Sequence, residues 1–225
     1  WPSMIWQTYS WDFQTHGSFY GSKKGCEPLH IQLNAHNNQI LVINTSLHDI
    51  KNATATLQVF DINGKLIQSK TAAVVLLANT KLDVFTAILD DATLPANYLV
   101  RLTVNDNANK SIATNEYWRA NANTGHFKSF NELPVVTLTG KAVQLVNGQL
   151  KIELENKSKH PAIGIKLDAL NRSKEIVLPV YCSDGYFTLL PGEKKTVLLA
   201  ADAVSTIEQI SLSGYNVTGT VTIKR

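Results

Sequence analysis

Leu94-Pro95-Ala96-Asn97-Tyr98-Leu99-Val100-Arg101-Leu102-Thr103-Val104 is the stretch on which the fold turns. From Leu99 onward the side chains alternate with the period of a strand, and a Tyr stands at the head of the run behind a Pro-containing turn. Such a Tyr reads as the tyrosine corner before strand F of an immunoglobulin-like sandwich, or more plainly as a surface Tyr at the start of any strand. Upstream, short apolar runs recur at Leu29 to Leu33, Gln39 to Ile43, Ala53 to Phe60, Lys65 to Ser69 and Thr80 to Ile88. Asp61-Ile62-Asn63-Gly64 joins two of them as a hairpin, because Asn-Gly supplies the positive φ such turns need. With Ile112 to Trp118 downstream the count reaches about seven strands, that of a sandwich.

Beyond Ala120 the chain turns polar through Asn121, Asn123, Thr124 and Gly125, and then carries Phe127 and Phe130. Composition makes this a linker, and the two Phe predict that it is partly docked. Trp118, closing the preceding strand, is expected to seal against it. Strands resume at Val135 to Leu138, Gln149 to Leu154, Ala162 to Ala169, Ile176 to Val180, Tyr186 to Leu189, Lys195 to Ala200, Gln209 to Ser213 and Val217 to Lys224. Asn147-Gly148 and Leu190-Pro191-Gly192-Glu193 supply turns. The halves show no obvious residue-by-residue repeat. The expected fold is therefore all-β, with two tandem immunoglobulin-like β-sandwiches at 28–120 and 134–225 joined by a linker at 121–133.

The opening residues differ in kind. Trp1-Pro2-Ser3-Met4-Ile5-Trp6-Gln7-Thr8-Tyr9-Ser10-Trp11-Asp12-Phe13 holds three Trp, one Tyr and one Phe. Pro2 suits the first turn of a helix, and Ile5, Trp6, Tyr9 and Phe13 fall on one face, which predicts a helix stopping near Gly17. A helix this short and aromatic is not stable alone in water. It must lie on a larger body, either the two sandwiches or a part of the polypeptide outside this sequence.

Trp1 to Gln7, followed by Gly17-Ser18-Phe19-Tyr20-Gly21-Ser22-Lys23-Lys24-Gly25-Cys26-Glu27-Pro28-Leu29-His30-Ile31-Gln32, resembles the segment that ends the catalytic barrel in glycoside hydrolase family 2. The similarity is to the branch of exo-β-glucosaminidases and β-mannosidases. Pro179-Val180-Tyr181-Cys182-Ser183-Asp184-Gly185-Tyr186-Phe187-Thr188-Leu189-Leu190-Pro191-Gly192-Glu193 resembles a signature of the last domain in the same enzymes. The resemblance implies that residues 1–27 are a helical remnant of a (β/α)8 barrel plus linker, and that the partner is the catalytic barrel of the same polypeptide. It implies a retaining reaction, which needs two carboxyl groups about 5 to 5.5 Å apart, both on barrel strands outside this sequence. It places Trp1 just past the eighth barrel strand, where it either lines the sugar pocket of the intact enzyme or plugs the barrel rim. A periplasmic or secreted location follows from the family alone.

The residues themselves nominate no catalytic group. A net charge of +3, from 21 Lys and Arg against 18 Asp and Glu, is too small and dispersed to bind nucleic acid. No apolar run approaches the roughly 20 residues that cross a membrane. Asp12 sits in the aromatic segment, Asp90, Asp91 and Asp106 in turns, and Glu153 and Glu155 on one strand face spaced for solvent. Glu27 is expected to form an ion pair with a neighbouring Lys. The His at 16, 30, 36, 48, 126 and 160 lack ligand spacing, so neither metal nor cofactor is expected. Cys26 and Cys182 read as free thiols in preference to a disulfide. The run Tyr186 to Leu190 reads as a core strand before a ligand site. Six Asn-x-Ser/Thr sequences, at Asn44, Asn52, Asn109, Asn156, Asn171 and Asn216, matter only in a eukaryotic secretory route.

Two functions compete. In one, the chain is a non-catalytic accessory piece of a family 2 exo-glycosidase, inactive alone, whose sandwiches brace the barrel. In the other, the sandwiches are carbohydrate-binding modules with a site of their own for β-linked oligosaccharide. A tandem adhesion or spacer protein is a third option, against which the aromatic opening stands.

Overall fold

Alternation along the chain becomes a covered face in the unit Lys23–Glu132 of this computed structural model, which describes residues 7–224. The strands are β1 (Leu29–Leu33), β2 (Gln39–Asn44), β3 (Ile50–Asp61), β4 (Leu66–Leu76), β5 (Thr80–Thr86), β6 (Asn97–Asn105) and β7 (Ser111–Ala120). They form two sheets, β1-β2-β5 and β4-β3-β6-β7, a three-on-four sandwich. Every second residue of β3 and β6 enters the core, including Ala55, Leu57, Val59, Val100, Leu102 and Val104, opposite Ile31, Ile40 and Val42. Each such aliphatic side chain contributes about 1.5–3 kcal/mol by leaving water. Tyr98 is buried, and its hydroxyl lies beside the side chain of Arg119, its partner across β7.

The Asn63-Gly64 hairpin forms as expected. Gly64 has φ 83° and donates to the Asp61 carbonyl at 3.0 Å, while the Asp61 carboxylate takes the amides of Asn63 and Lys65. The polar stretch after β7 belongs to this unit. A 3-10 turn, Lys128–Glu132, buries Phe130 in a stack with Trp118, ring centroids 5.6 Å apart. Asn121 donates to the carbonyls of Asp91 and Leu94, and Asn97 to that of His126.

The second unit combines the described parts of Trp1–Ser22 with Leu133–Arg225. Its elements are α1 (Gly17–Gly25), which runs on into the first unit, then β8 (Val136–Thr137), β9 (Thr139–Gln144), β10 (Leu150–Glu155), β11 (Ala162–Leu170) and β12 (Val180–Cys182). The remainder are β13 (Phe187–Leu189), β14 (Lys194–Ala201), β15 (Gln209–Ser213) and β16 (Val217–Lys224). The strand path is β12-β14-β10-β9-β16-β15-β11-β13, with β8 beside β16. β16 pairs antiparallel with β15 and parallel with both β8 and β9, which joins the two layers. Both ends of the path feed one core, Ile152, Leu154 and Val197 meeting Ile165, Leu167 and Ile210, so the path folds over itself as a sandwich.

Three expectations change. β9 has no counterpart among the expected strands, because of its six residues only Ala142 is buried and the apolar signal is thin. The strand expected at Ile176 to Val180 lies instead at Val180–Cys182, with Ile176 making a single bridge to Leu170. Of the helix expected to end near Gly17, residues 1–6 lie outside the described residues, and residues 7–16 are not helical. Tyr9 bridges to Thr15, Phe13 takes φ 67°, and the Asp12 carboxylate accepts from Ser10 and from the Gln14 amide. Ser and Asp side chains that bond nearby backbone favour turns over helix, so the helix begins where it was expected to stop.

The two sandwiches also share a motif. Asn44-Thr45-Ser46-Leu47-His48 and Asn156-Lys157-Ser158-Lys159-His160 fold alike at the end of a strand. In each, the Asn oxygen accepts from the Ser amide and hydroxyl, and the Asn nitrogen donates to the His carbonyl. That nitrogen also donates to a carbonyl distant in sequence, Leu77 just after β4 in one unit and Leu189 at the end of β13 in the other. Among the described residues no helix is long and apolar enough to cross a membrane.

Candidate functional site

The residues before and within α1 are seated on the second sandwich. Gln14 donates to the Asp168 carboxylate at 3.1 Å, and Lys166 holds the same oxygen at 2.9 Å. Tyr20 packs against the sandwich core, 5.8 Å from the Tyr186 ring, with its hydroxyl 3.3 Å from Thr15 Oγ1. Burial pushes the Tyr20 phenol pKa up, and the adjacent Cys182 adds to the shift. Gly185 makes the seat possible, since a Cβ there would stand 2.7 Å from the Tyr20 ring. Tyr186, in the left-handed region at φ 57°, lies beside Gly17.

This explains the Ser183-Asp184-Gly185-Tyr186-Phe187 run. Phe187, Thr188 and Leu189 are all buried, so the strand is core, and the turn before it receives Tyr20. Sequence reasoning placed the strand correctly but missed the seat. The available signal was Gly185 directly before Tyr186 at the head of the strand.

The short turn that leads to Gln14 presents its aromatics outward. Tyr9 is 48% exposed, Trp11 73% and Phe13 58%, with the Tyr9 and Phe13 rings stacked at 6.0 Å. Trp1, the single residue nominated for the sugar pocket, lies outside the described residues.

The carboxylates are structural partners. Glu27 pairs with Lys24 at 3.0 Å, as expected. Glu153 sits between Lys141 at 2.8 Å and Lys151 at 2.6 Å, whose hydrogen bonds hold its pKa at about 2. A carboxyl held that low stays ionised at neutral pH and cannot act as a general acid. Glu153 and Glu155 line a groove of about 540 Å³ on β9, β10 and β14 with Lys141, Lys157, Lys194 and Thr196. Its described lining includes no aromatic side chain on which a sugar face would stack. Cys26 is exposed and Cys182 buried, and neither is in a disulfide. Among the described residues no three His, Cys, Asp or Glu come together as a metal site.

Two domain-family profiles match the chain: the mannosidase Ig/CBM-like domain over residues 36–122 and the exo-β-D-glucosaminidase Ig-fold domain over residues 115–217. The exo-β-D-glucosaminidase of Hypocrea jecorina is 27% identical, covering 98% of this chain and 27% of its own. That of Amycolatopsis orientalis is 28% identical, covering 99% and 24%. The crystal structure of the Amycolatopsis orientalis exo-chitosanase CsxA matches with a TM-score of 0.85 at 25% identity, over 99% of this chain and 29% of that one. A β-D-mannosidase from Dictyoglomus thermophilum shares the fold, with a TM-score of 0.69 at 15% identity over 95% and 25%. The chain thus spans about a quarter of the length of the relatives it matches. Its two sandwiches are immunoglobulin-fold domains of the kind found in exo-β-D-glucosaminidases and mannosidases, in line with the resemblance to glycoside hydrolase family 2.

Proposed function

We propose that this chain is a non-catalytic accessory part of a retaining exo-β-glycosidase, of exo-β-D-glucosaminidase or β-mannosidase type, and that it braces the catalytic barrel of the same polypeptide. The observation that carries this reading is the aromatic turn. Tyr9, Trp11 and Phe13 are exposed, yet the turn that presents them is fastened to the second sandwich through Gln14 and Tyr20. An apolar group held firmly in water is suited to being covered by a protein body.

In this reading residues 1–27 close the barrel, 28–120 and 134–225 are the two braces, and 121–133 connects them. Trp1 stands at the rim of the sugar pocket, and the enzyme works in a periplasmic or extracellular space. The sugar is a β-linked glucosamine or mannose unit, and the acid and nucleophile lie elsewhere in the polypeptide. A sugar site on the sandwiches themselves is disfavoured by a groove that offers ion pairs and no stacking surface.

The test is to mix the purified chain with the separately expressed barrel of its own gene. Assays on p-nitrophenyl β-D-glucosaminide and β-D-mannoside accompany calorimetric titration with the corresponding oligomers. Expected are no turnover and no millimolar binding by the chain alone, with measurable association with the barrel. Sugar binding without barrel association transfers the assignment to a carbohydrate-binding module, and turnover by the pure chain removes it altogether.

A further inference from the structure

We propose that Asn52 and Asn109 are acceptors for Asn-linked oligosaccharide, and that the other four Asn-x-Ser/Thr sequences are closed to it by the fold. In sequence the six look alike. In the folded chain, Asn44, Asn156 and Asn216 are buried, and each spends both amide hydrogens on backbone carbonyls. Asn44 donates to His48 and Leu77, Asn156 to His160 and Leu189, and Asn216 to Pro134 and Pro161, all within 3.0 Å. A glycan on any of them would replace one of those hydrogens and demand a channel through the core. Asn171 is half-buried, donating to the Glu175 carboxylate at 2.9 Å while its oxygen takes the Glu175 amide.

Asn52 and Asn109 differ on each count. Both are exposed and sit at positive φ, 56° and 59°, where the chain turns outward. Asn52 occupies the register break of β3 against β4, and its amide makes no hydrogen bond among the described residues. Asn109 forms the corner of the Asp106–Lys110 turn, and its oxygen accepts from Asn105 while its amide hydrogens are unused. β3 pairs Thr54 with Asn105, so the two acceptors lie at the same end of one sheet. That end also exposes Leu47, Val75 and Leu77, which paired oligosaccharides would shield from water.

The donor is an oligosaccharide on a polyprenyl pyrophosphate. The bond from Asn Nδ2 to sugar C1 forms as the C1–O bond to pyrophosphate breaks. The pyrophosphate leaves with the electron pair, and the amide proton passes to a base of the transferase.

The test is secretion of the whole chain from a eukaryotic cell that carries this transferase. Glycan release with an amidase in heavy-oxygen water follows, so that each formerly occupied Asn is marked as Asp in peptide mass maps. Expected is occupancy of Asn52 and Asn109 and of no other sequence. The double variant Asn52→Gln/Asn109→Gln should lose both glycans. Thr54→Ala/Ser111→Ala, which keeps both Asn, should lose them as well. A glycan at Asn44, Asn156, Asn171 or Asn216 in secreted folded protein overturns the proposal, and so does an empty Asn52 or Asn109.

Discussion

At the scale of single residues, the fold rests on polar side chains that sequence alone does not distinguish. Asn156 donates to the carbonyls of His160 and Leu189 and accepts from the Ser158 amide and hydroxyl, four hydrogen bonds worth about 0.5–1.5 kcal/mol each. Asn156→Ala should therefore lower stability by about 3 kcal/mol in urea denaturation, and Asn44→Ala should do the same to the first sandwich. Asn52→Gly, on the surface and at a positive φ that Gly adopts freely, should change it by less than about 0.5 kcal/mol. His30 is another such residue. It is buried, its Nδ1 has no hydrogen-bond partner, and desolvation lowers its pKa against a backbone bond to Lys24 and the opposed charges of Lys24 and Glu27. The unfolded chain takes up a proton near pH 6.5 that the folded chain refuses, so this contribution is complete above pH 6.5 and is lost as pH falls below it. A His30→Gln variant should show a shallower decline between pH 7 and 5, by at most about 1.4 kcal/mol per pH unit, in parallel denaturation curves. None of this is legible in the sequence, because Asn and His are ordinarily surface residues and only tertiary burial gives them these roles.

At the scale of elements, strands were legible wherever one face is apolar, as at β3, β6 and β10, and illegible at β9, whose inward face offers a single Ala. The aromatic segment misled because apolar spacing matched a helix, while the side chains of Ser10 and Asp12 took the Gln14 carbonyl and amide instead. The seat of Tyr20 makes a prediction at this scale. Gly185→Ala places a methyl inside the ring's contact distance, so the ring must shift. In a Cys26→Ser background, which removes the exposed thiol, Cys182 should then react with a disulfide reagent at least tenfold faster. An unchanged rate would mean that Tyr20 does not cover it.

At the scale of the whole molecule, the two-sandwich plan followed from strand count and the spacing of the turns. The division of the chain did not, since nothing in residues 7–22 announces that they belong with residues 133–224. The exposed aromatics give the last prediction. Trp11→Ser with Phe13→Ser should reduce self-association of the isolated chain in sedimentation velocity without altering its melting, because both side chains already face water. The discontinuous unit also bears on biosynthesis. Tyr20 leaves the ribosome about 165 residues ahead of Gly185, and at roughly 5–20 residues per second that is a delay on the order of ten seconds. The nascent aromatic segment must be chaperoned, or parked elsewhere, until the final strands emerge to receive it.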